Sequence, residues 1–236
     1  MRFTGLTRLA ATALLAGATV LVAPAAAQAA VPVAGGTPVL VGGTAGCTLT
    51  TAGYDAGGTP VAFTAAHCSD RINAPVILRD DEAAGVIGTV VTRNEILDYS
   101  VIRLDPRVAV PVRQPGVTGR GPAPEFGDVV CKDGASTGHT CGITWQRDGV
   151  KFWAHACAGH GDSGGPVTRD GRLVGLLSGG QMAPAAGPLG SVSSVLPPCV
   201  HPAQSPFFVP AFAFSFDAIV ADATARNWPG RGFQQA

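Results

Sequence analysis

Punctuation is what most constrains this chain. Its 32 glycines and 19 prolines are spread over 236 residues, and they cut nearly every apolar run short before a helix of ordinary length can form. Between the breaks lie short segments rich in Val, Ile and Phe, which read as strands: residues 60–64, 76–79, 85–93, 99–104, 128–132, 140–146, 151–157, 173–177 and 207–214. Residues 31–53 are rich in Gly, Thr and Val and suit twisted strands and turns. Residues 106–124, dense in Pro and Gly, read as a crossing between two halves. One stretch escapes the pattern. Residues 215–226 (SFDAIVADATAR) predict a helix, with Ser215 as cap, Asp217 in the first turn and Arg226 in the last. Many short strands at this spacing imply an all-β barrel or sandwich architecture.

The first 29 residues stand apart. Arg2 and Arg8 precede an apolar stretch over residues 9–23, and Ala27-Gln28-Ala29 fits a small-residue cleavage site. The run is shorter than the roughly 20 residues needed to span a bilayer, and it has no cysteine for a lipid anchor. Residues 1–29 are therefore expected to be a signal peptide, and residues 30–236 a secreted, extracellular domain with no membrane attachment after cleavage. The whole chain has 16 basic and 16 acidic residues; without Arg2 and Arg8 the formal charge becomes −2. No basic run suggests nucleic acid.

Export makes the six cysteines readable as disulfides. Six cysteines allow about 15 pairings, and sequence alone does not choose among them. Sequential pairing closes short loops and is preferred here: Cys47–Cys68, Cys131–Cys141 and Cys157–Cys199. Each would contribute about 2–4 kcal/mol, mainly by restricting the unfolded chain. No C-x2-C type cluster supports a zinc site, so neither a metal nor a cofactor is expected.

Three segments carry candidate chemistry. A serine hydroxyl is a weak nucleophile; it needs a base to take its proton, a third group to orient that base, and backbone donors where an oxyanion forms. Gly161-Asp162-Ser163-Gly164-Gly165-Pro166 offers Ser163 as nucleophile, with the N–H groups of Gly161 and Ser163 as an oxyanion hole. Thr64-Ala65-Ala66-His67-Cys68 offers His67 as base, at the end of a strand and beside a cysteine. Asp98 opens the apolar strand 99–104 and can be directed at an imidazole; Asp105, at the far end and followed by Pro106, competes less well. His139, His155, His160 and His201 lack comparable surroundings, and His160 is expected to point away from Ser163.

The segments TAAHC, DYSVIRL and GDSGGP, in the order His–Asp–Ser, resemble the chymotrypsin-like serine protease family, closest to its bacterial streptogrisin-type branch. The likeness runs from about residue 33 to 214. Cys131 to Cys141 resembles that branch's small disulfide loop, and Cys157-Ala158-Gly159-His160 matches its Cys-to-Ser spacing. The resemblance implies two six-stranded antiparallel β-barrels packed face to face, over about 31–110 and 120–236, with a C-terminal α-helix and the site in the cleft between them. It implies that Ser178-Gly179-Gly180 pairs with an extended substrate. It also implies that the walls of the pocket for the residue before the scissile bond come from residues 153–157 (with His155 and Ala156), 178–180 and 205–209. No carboxylate stands in those walls, so an uncharged P1 residue, small to medium apolar or aromatic, is expected. Asp162 needs a cation if buried, and Arg120 is the candidate. The expected partners are polypeptide substrates, and a monomer is expected.

Three other readings compete. A catalytically silent module on the same fold would typically lose a triad member, and none is lost here. An α/β-hydrolase esterase needs G-x-S-x-G and the order Ser–Asp–His, whereas this serine comes last in G-D-S-G-G. A disulfide-stapled structural domain would make the three motifs accidental.

Overall fold

The computed structural model describes Met1, residues 30–180, Pro197, Cys199, His201, Ala203 and residues 208–236. The expected signal segment, and most of the 181–207 stretch with part of the expected pocket wall, lie outside the described residues. The first half holds β1 (Val31–Val33), β2 (Pro38–Val41), β3 (Ala45–Thr48), β4 (Thr51–Tyr54), β5 (Pro60–Thr64), β6 (Pro75–Leu78), β7 (Val86–Asn94), β8 (Tyr99–Leu104) and β9 (Ala109–Pro111). The second half holds β10 (Gly119–Arg120), β11 (Val129–Gly134), β12 (Gly138–Asp148), β13 (Lys151–Ala154), β14 (Pro166–Arg169), β15 (Arg172–Gly180), β16 (Ala211–Ser215), α1 (Phe216–Ala225) and β17 (Gln234–Gln235).

The all-β, two-lobed fold with a C-terminal helix is as the resemblance implied. In the second lobe β11-β12-β13-β16-β15-β14 form a closed six-stranded antiparallel barrel, with β10 added in parallel to β15. Closure depends on β15, which pairs with β14 on one side and β16 on the other. A register shift between Leu177 and Gly179 lets it bend. The first lobe is an antiparallel sheet in the order β17-β4-β5-β8-β7-β6-β2-β3, coiled as a half-barrel. The 106–124 crossing is laddered, because β9 pairs with β1 and β10 with β15. Strand β14 has no counterpart in the sequence reading. It is joined to β15 through Asp170-Gly171, with φ of 51° and 69°, a two-residue hairpin turn.

Ser215 caps the helix as expected, its hydroxyl accepting the Ala218 N–H at 3.4 Å. The helix leaves the second lobe but buries Phe216, Ile219, Val220 and Ala223 in the core of the first. There Phe63 meets Phe233 and Phe216 edge-on, with centroids 5.0 and 5.2 Å apart. Such contacts add about 0.5–1.5 kcal/mol beyond burial, so the chain's last segment ties the two lobes together. The three disulfides are Cys47–Cys68, Cys131–Cys141 and Cys157–Cys199. Among the described residues no helix is long and apolar enough to cross a membrane.

Candidate active site

His67 sits on a single turn of 3-10 helix, Ala66–Cys68, immediately after β5. The Cys47–Cys68 bridge ties that turn to β3. Asp98 reaches the same place from the neighbouring strand: it immediately precedes β8, whose Ser100 stands opposite Thr64 at the end of β5. At the end of β7 the Asn94 Oδ1 accepts the N–H groups of Ile96 (2.9 Å) and Leu97 (3.1 Å), reversing the chain. Asp98 then takes φ = 44°, a left-handed conformation that Asp tolerates better than most residues. Its Oδ1 accepts the His67 backbone N–H at 3.0 Å, and its Oδ2 lies 2.8 Å from His67 Nδ1. The Ser178 hydroxyl also donates to Oδ2. An ionised carboxylate only accepts, so Nδ1 carries the proton and a neutral ring presents its lone pair at Nε2. The imidazole is 49% exposed and the carboxylate only 16%, so the ring is open to a reactant while its orienting partner is shielded.

Ser163 lies in a loop clamped by both lobes. From β3, the Thr48 N–H donates to Ser163 O and the Thr48 hydroxyl to Gly161 O, both at 2.8 Å. The Thr50 hydroxyl donates to Gly164 O at 2.5 Å. From β15, Leu177 O accepts the Gly164 N–H at 2.7 Å. Gly161 has φ = 96°, open to glycine at little penalty. Among the described residues no hydrogen bond takes up the N–H of Gly161 or of Ser163. The Ser163 hydroxyl donates to Ser178 O at 3.5 Å. His67 and Ser163 line one cleft of about 660 Å³ together with Ser178, Gly179 and Gly180. His160 also lines it. His155 and Ala156 are not among its lining residues. The His155 ring is instead held between Trp145 and Phe208, with centroids 4.8 and 4.4 Å away.

The partner of Asp162 is Lys132, a correction to the sequence reading. Arg120 pairs with Asp217 at 3.1 Å, because β10 runs on the far edge of β15, beside the helix. Lys132 Nζ donates to Asp162 Oδ2 at 3.0 Å, to Gly138 O at 2.9 Å and to the Thr137 hydroxyl. Both side chains are buried. The carboxylate accepts further bonds from the N–H groups of Ser136 (2.8 Å), Thr137 (3.0 Å) and Gly159 (2.9 Å), and from the Thr137 hydroxyl (2.5 Å). Burial drives the Asp162 carboxyl upward, but these donors and the Lys132 ammonium outweigh it and hold it below its ordinary value. Burial pulls Lys132 below the ordinary lysine value, with Asp162 opposing. One signal for Lys132 was present in the sequence: it alternates with Val130 on β11, so a lysine there must point inward.

Lys151 was also missed. Its ammonium lies 4.0 Å from the centre of Phe212, a cleft-lining ring, and 4.9 Å from that of Trp153. Burial lowers its pKa, and attraction to Asp98 works against that.

No family model and no curated protein sequence matches the chain. Solved structures do. Thermobifida fusca protease A is 21% identical with a TM-score of 0.62, over 87% of this chain and 100% of its own. A glutamic-acid-specific serine protease is 18% identical with a TM-score of 0.61, over 80% of this chain and 97% of its own. Cellulomonas bogoriensis chymotrypsin is 21% identical with a TM-score of 0.56, over 87% of this chain and 98% of its own. These neighbours are bacterial chymotrypsin-like serine proteases, and this chain has their fold.

Proposed function

We propose that this chain is an exported serine endopeptidase that cleaves polypeptides through Ser163, His67 and Asp98. The carrying observation is the Nδ1–Oδ2 contact of 2.8 Å, which turns the free imidazole nitrogen outward in the cleft that Ser163 also lines. In this reading His67 Nε2 takes the Ser163 proton as Oγ attacks the peptide carbonyl. Asp98 holds the ring and stabilises its cation. The N–H groups of Gly161 and Ser163 receive the oxyanion. His67 protonates the leaving amine, and water repeats the sequence on the acyl-enzyme. The three disulfides fit an oxidising compartment, and residues 1–29 serve export.

The substrate strand would lie along Ser178-Gly179-Gly180. No carboxylate lines the cleft among the described residues, which favours an uncharged P1 side chain.

A fluorophosphonate probe tests this reading. The purified protein is expected to label rapidly at Ser163, and Ser163→Ala to be silent. The alternative, a catalytically silent module, draws on the Ser163 hydroxyl facing the Ser178 carbonyl. Absence of labelling in the folded wild-type chain would decide for it.

A further inference from the structure

The hairpin formed by β11 and β12 carries a second constellation, away from the His67 cleft. In its register Cys131 stands opposite Cys141, and Asp133 opposite His139. Residues two apart on a strand share a face, so all four side chains emerge on the same side. His139 Nδ1 lies 2.7 Å from Asp133 Oδ1, and Asp133 Oδ2 accepts from Gln114 Nε2 at 2.9 Å. A carboxylate on Nδ1 puts the proton there and leaves Nε2 as the electron-pair donor. Nε2 is turned toward Cys141 Sγ, 3.5 Å away. The ligand atoms of Cys131, His139 and Cys141 all fall within 4.8 Å of one another. A histidine oriented by a carboxylate, which is itself fixed by a further hydrogen bond, is how proteins prepare an imidazole for a metal. Two sulfurs and an imidazole nitrogen suit Zn(II), with its fourth position open.

We propose that this hairpin is a redox-gated metal site: once a dithiol opens Cys131–Cys141, the two thiolates and His139 Nε2 bind one Zn(II). The exchange balances. A reductant thiolate attacks one sulfur, the S–S bond breaks, and the reductant closes to its own disulfide, leaving two thiols. The metal then displaces both thiol protons. The sulfurs can serve as bridge or as ligands, not as both. Cys141 is exposed, whereas Cys47, Cys68, Cys157 and Cys199 are buried, so this bridge opens first. The tip of the same hairpin supplies the Ser136 and Thr137 donors to Asp162. Disulfide and metal therefore both fasten the base of the element that supports the Ser163 loop. The inference does not depend on the protease reading.

The test uses the purified chain, reduced mildly with a dithiol that is then removed, and Co(II) as a spectroscopic stand-in for zinc. The expected result is one Co(II) per chain with thiolate-to-cobalt charge-transfer absorption. Asp133→Asn is expected to weaken binding by about 10–100-fold, and His139→Ala to abolish the one-to-one site. Zn(II) should protect Cys131 and Cys141 from alkylation and leave any other freed thiol reactive, a readout that holds even if further bridges open. Undiminished cobalt binding in His139→Ala would overturn the proposal. So would protection spread evenly over all six cysteines, or no binding with both hairpin thiols free.

Discussion

Replacing Lys132 by Met tests the idea that a buried ion pair shapes the nucleophile loop. The apolar stem keeps its place in the barrel, but three bonds from Nζ disappear, to Asp162, Gly138 and Thr137. Asp162 is left fully buried as an uncompensated anion. Breaking a buried pair costs about 3–5 kcal/mol. Four donors still face the carboxylate, the N–H groups of Ser136, Thr137 and Gly159 and the Thr137 hydroxyl, so the lower end, about 3 kcal/mol, is expected. For a domain of this size that lowers Tm by about 6–12 °C. The pH dependence follows from the same pair. The Asp162 carboxyl is held below its unfolded value, so its contribution is complete above the ordinary Asp range and is lost as pH falls through the lowered folded value. Without the Lys132 cation that depression shrinks, and acid unfolding should begin at a higher pH. Thermal and urea melts of wild type and variant between acid and neutral pH measure both effects. A Tm within about 2 °C of wild type, with an unmoved acid transition, would refute the reasoning.

Four further outcomes are expected. Asp98→Asn would place an amide donor against His67 Nδ1, reverse the tautomer and lower kcat by about 10⁴-fold without unfolding; normal turnover would remove Asp98 from the mechanism. Gly161→Ala would put a side chain on a backbone at φ = 96° with its Cβ 2.3 Å from Ser136 Oγ; a kcat loss of about 10²–10³-fold is expected from a displaced oxyanion donor, read with an ester substrate against an active-site titration. A Cβ at Gly180 would already lie 3.5 Å from Ala158 O and 3.3 Å from Val209 Cγ2. Aromatic faces need about 3.5 Å on each side, so a chromogenic peptide panel should favour P1 Ala over Phe, and a strong preference for Phe or Arg would count against this. Ser215→Ala removes the helix cap and should lower stability by about 0.5–2 kcal/mol in a urea melt.

Much of this site was legible in one dimension because it rests on local chemistry. A histidine just past a strand, an aspartate opening the next apolar strand and a serine among glycines are each conspicuous without coordinates. The helix over 216–225 was readable from its cap and from the absence of Gly and Pro. The Asp170-Gly171 turn that joins β14 to β15 is just as local a signal, an Asp-Gly pair between two short apolar runs. Lys132 was harder to find. Its inward position follows from alternation with Val130, but its partner stands 30 residues away and meets it only when β11 and β14 pair. Arg120, the cation that the resemblance suggested, lies on the wrong edge of the barrel and pairs with Asp217.

By itself the sequence determined the residue types that can do acid–base and nucleophilic work, the order in which they occur, and where strands must stop, because turn chemistry and side-chain alternation act over a few residues. Only the tertiary structure decided which cation neutralises Asp162, that Thr48 and Thr50 of the other lobe hold the Ser163 loop, and that the last helix returns to the first lobe's core. Those contacts join residues from 30 apart in the chain, as Lys132 and Asp162 are, to 153 apart, as Phe63 and Phe216 are. They depend on how two sheets curl and close, and no local pattern encodes that.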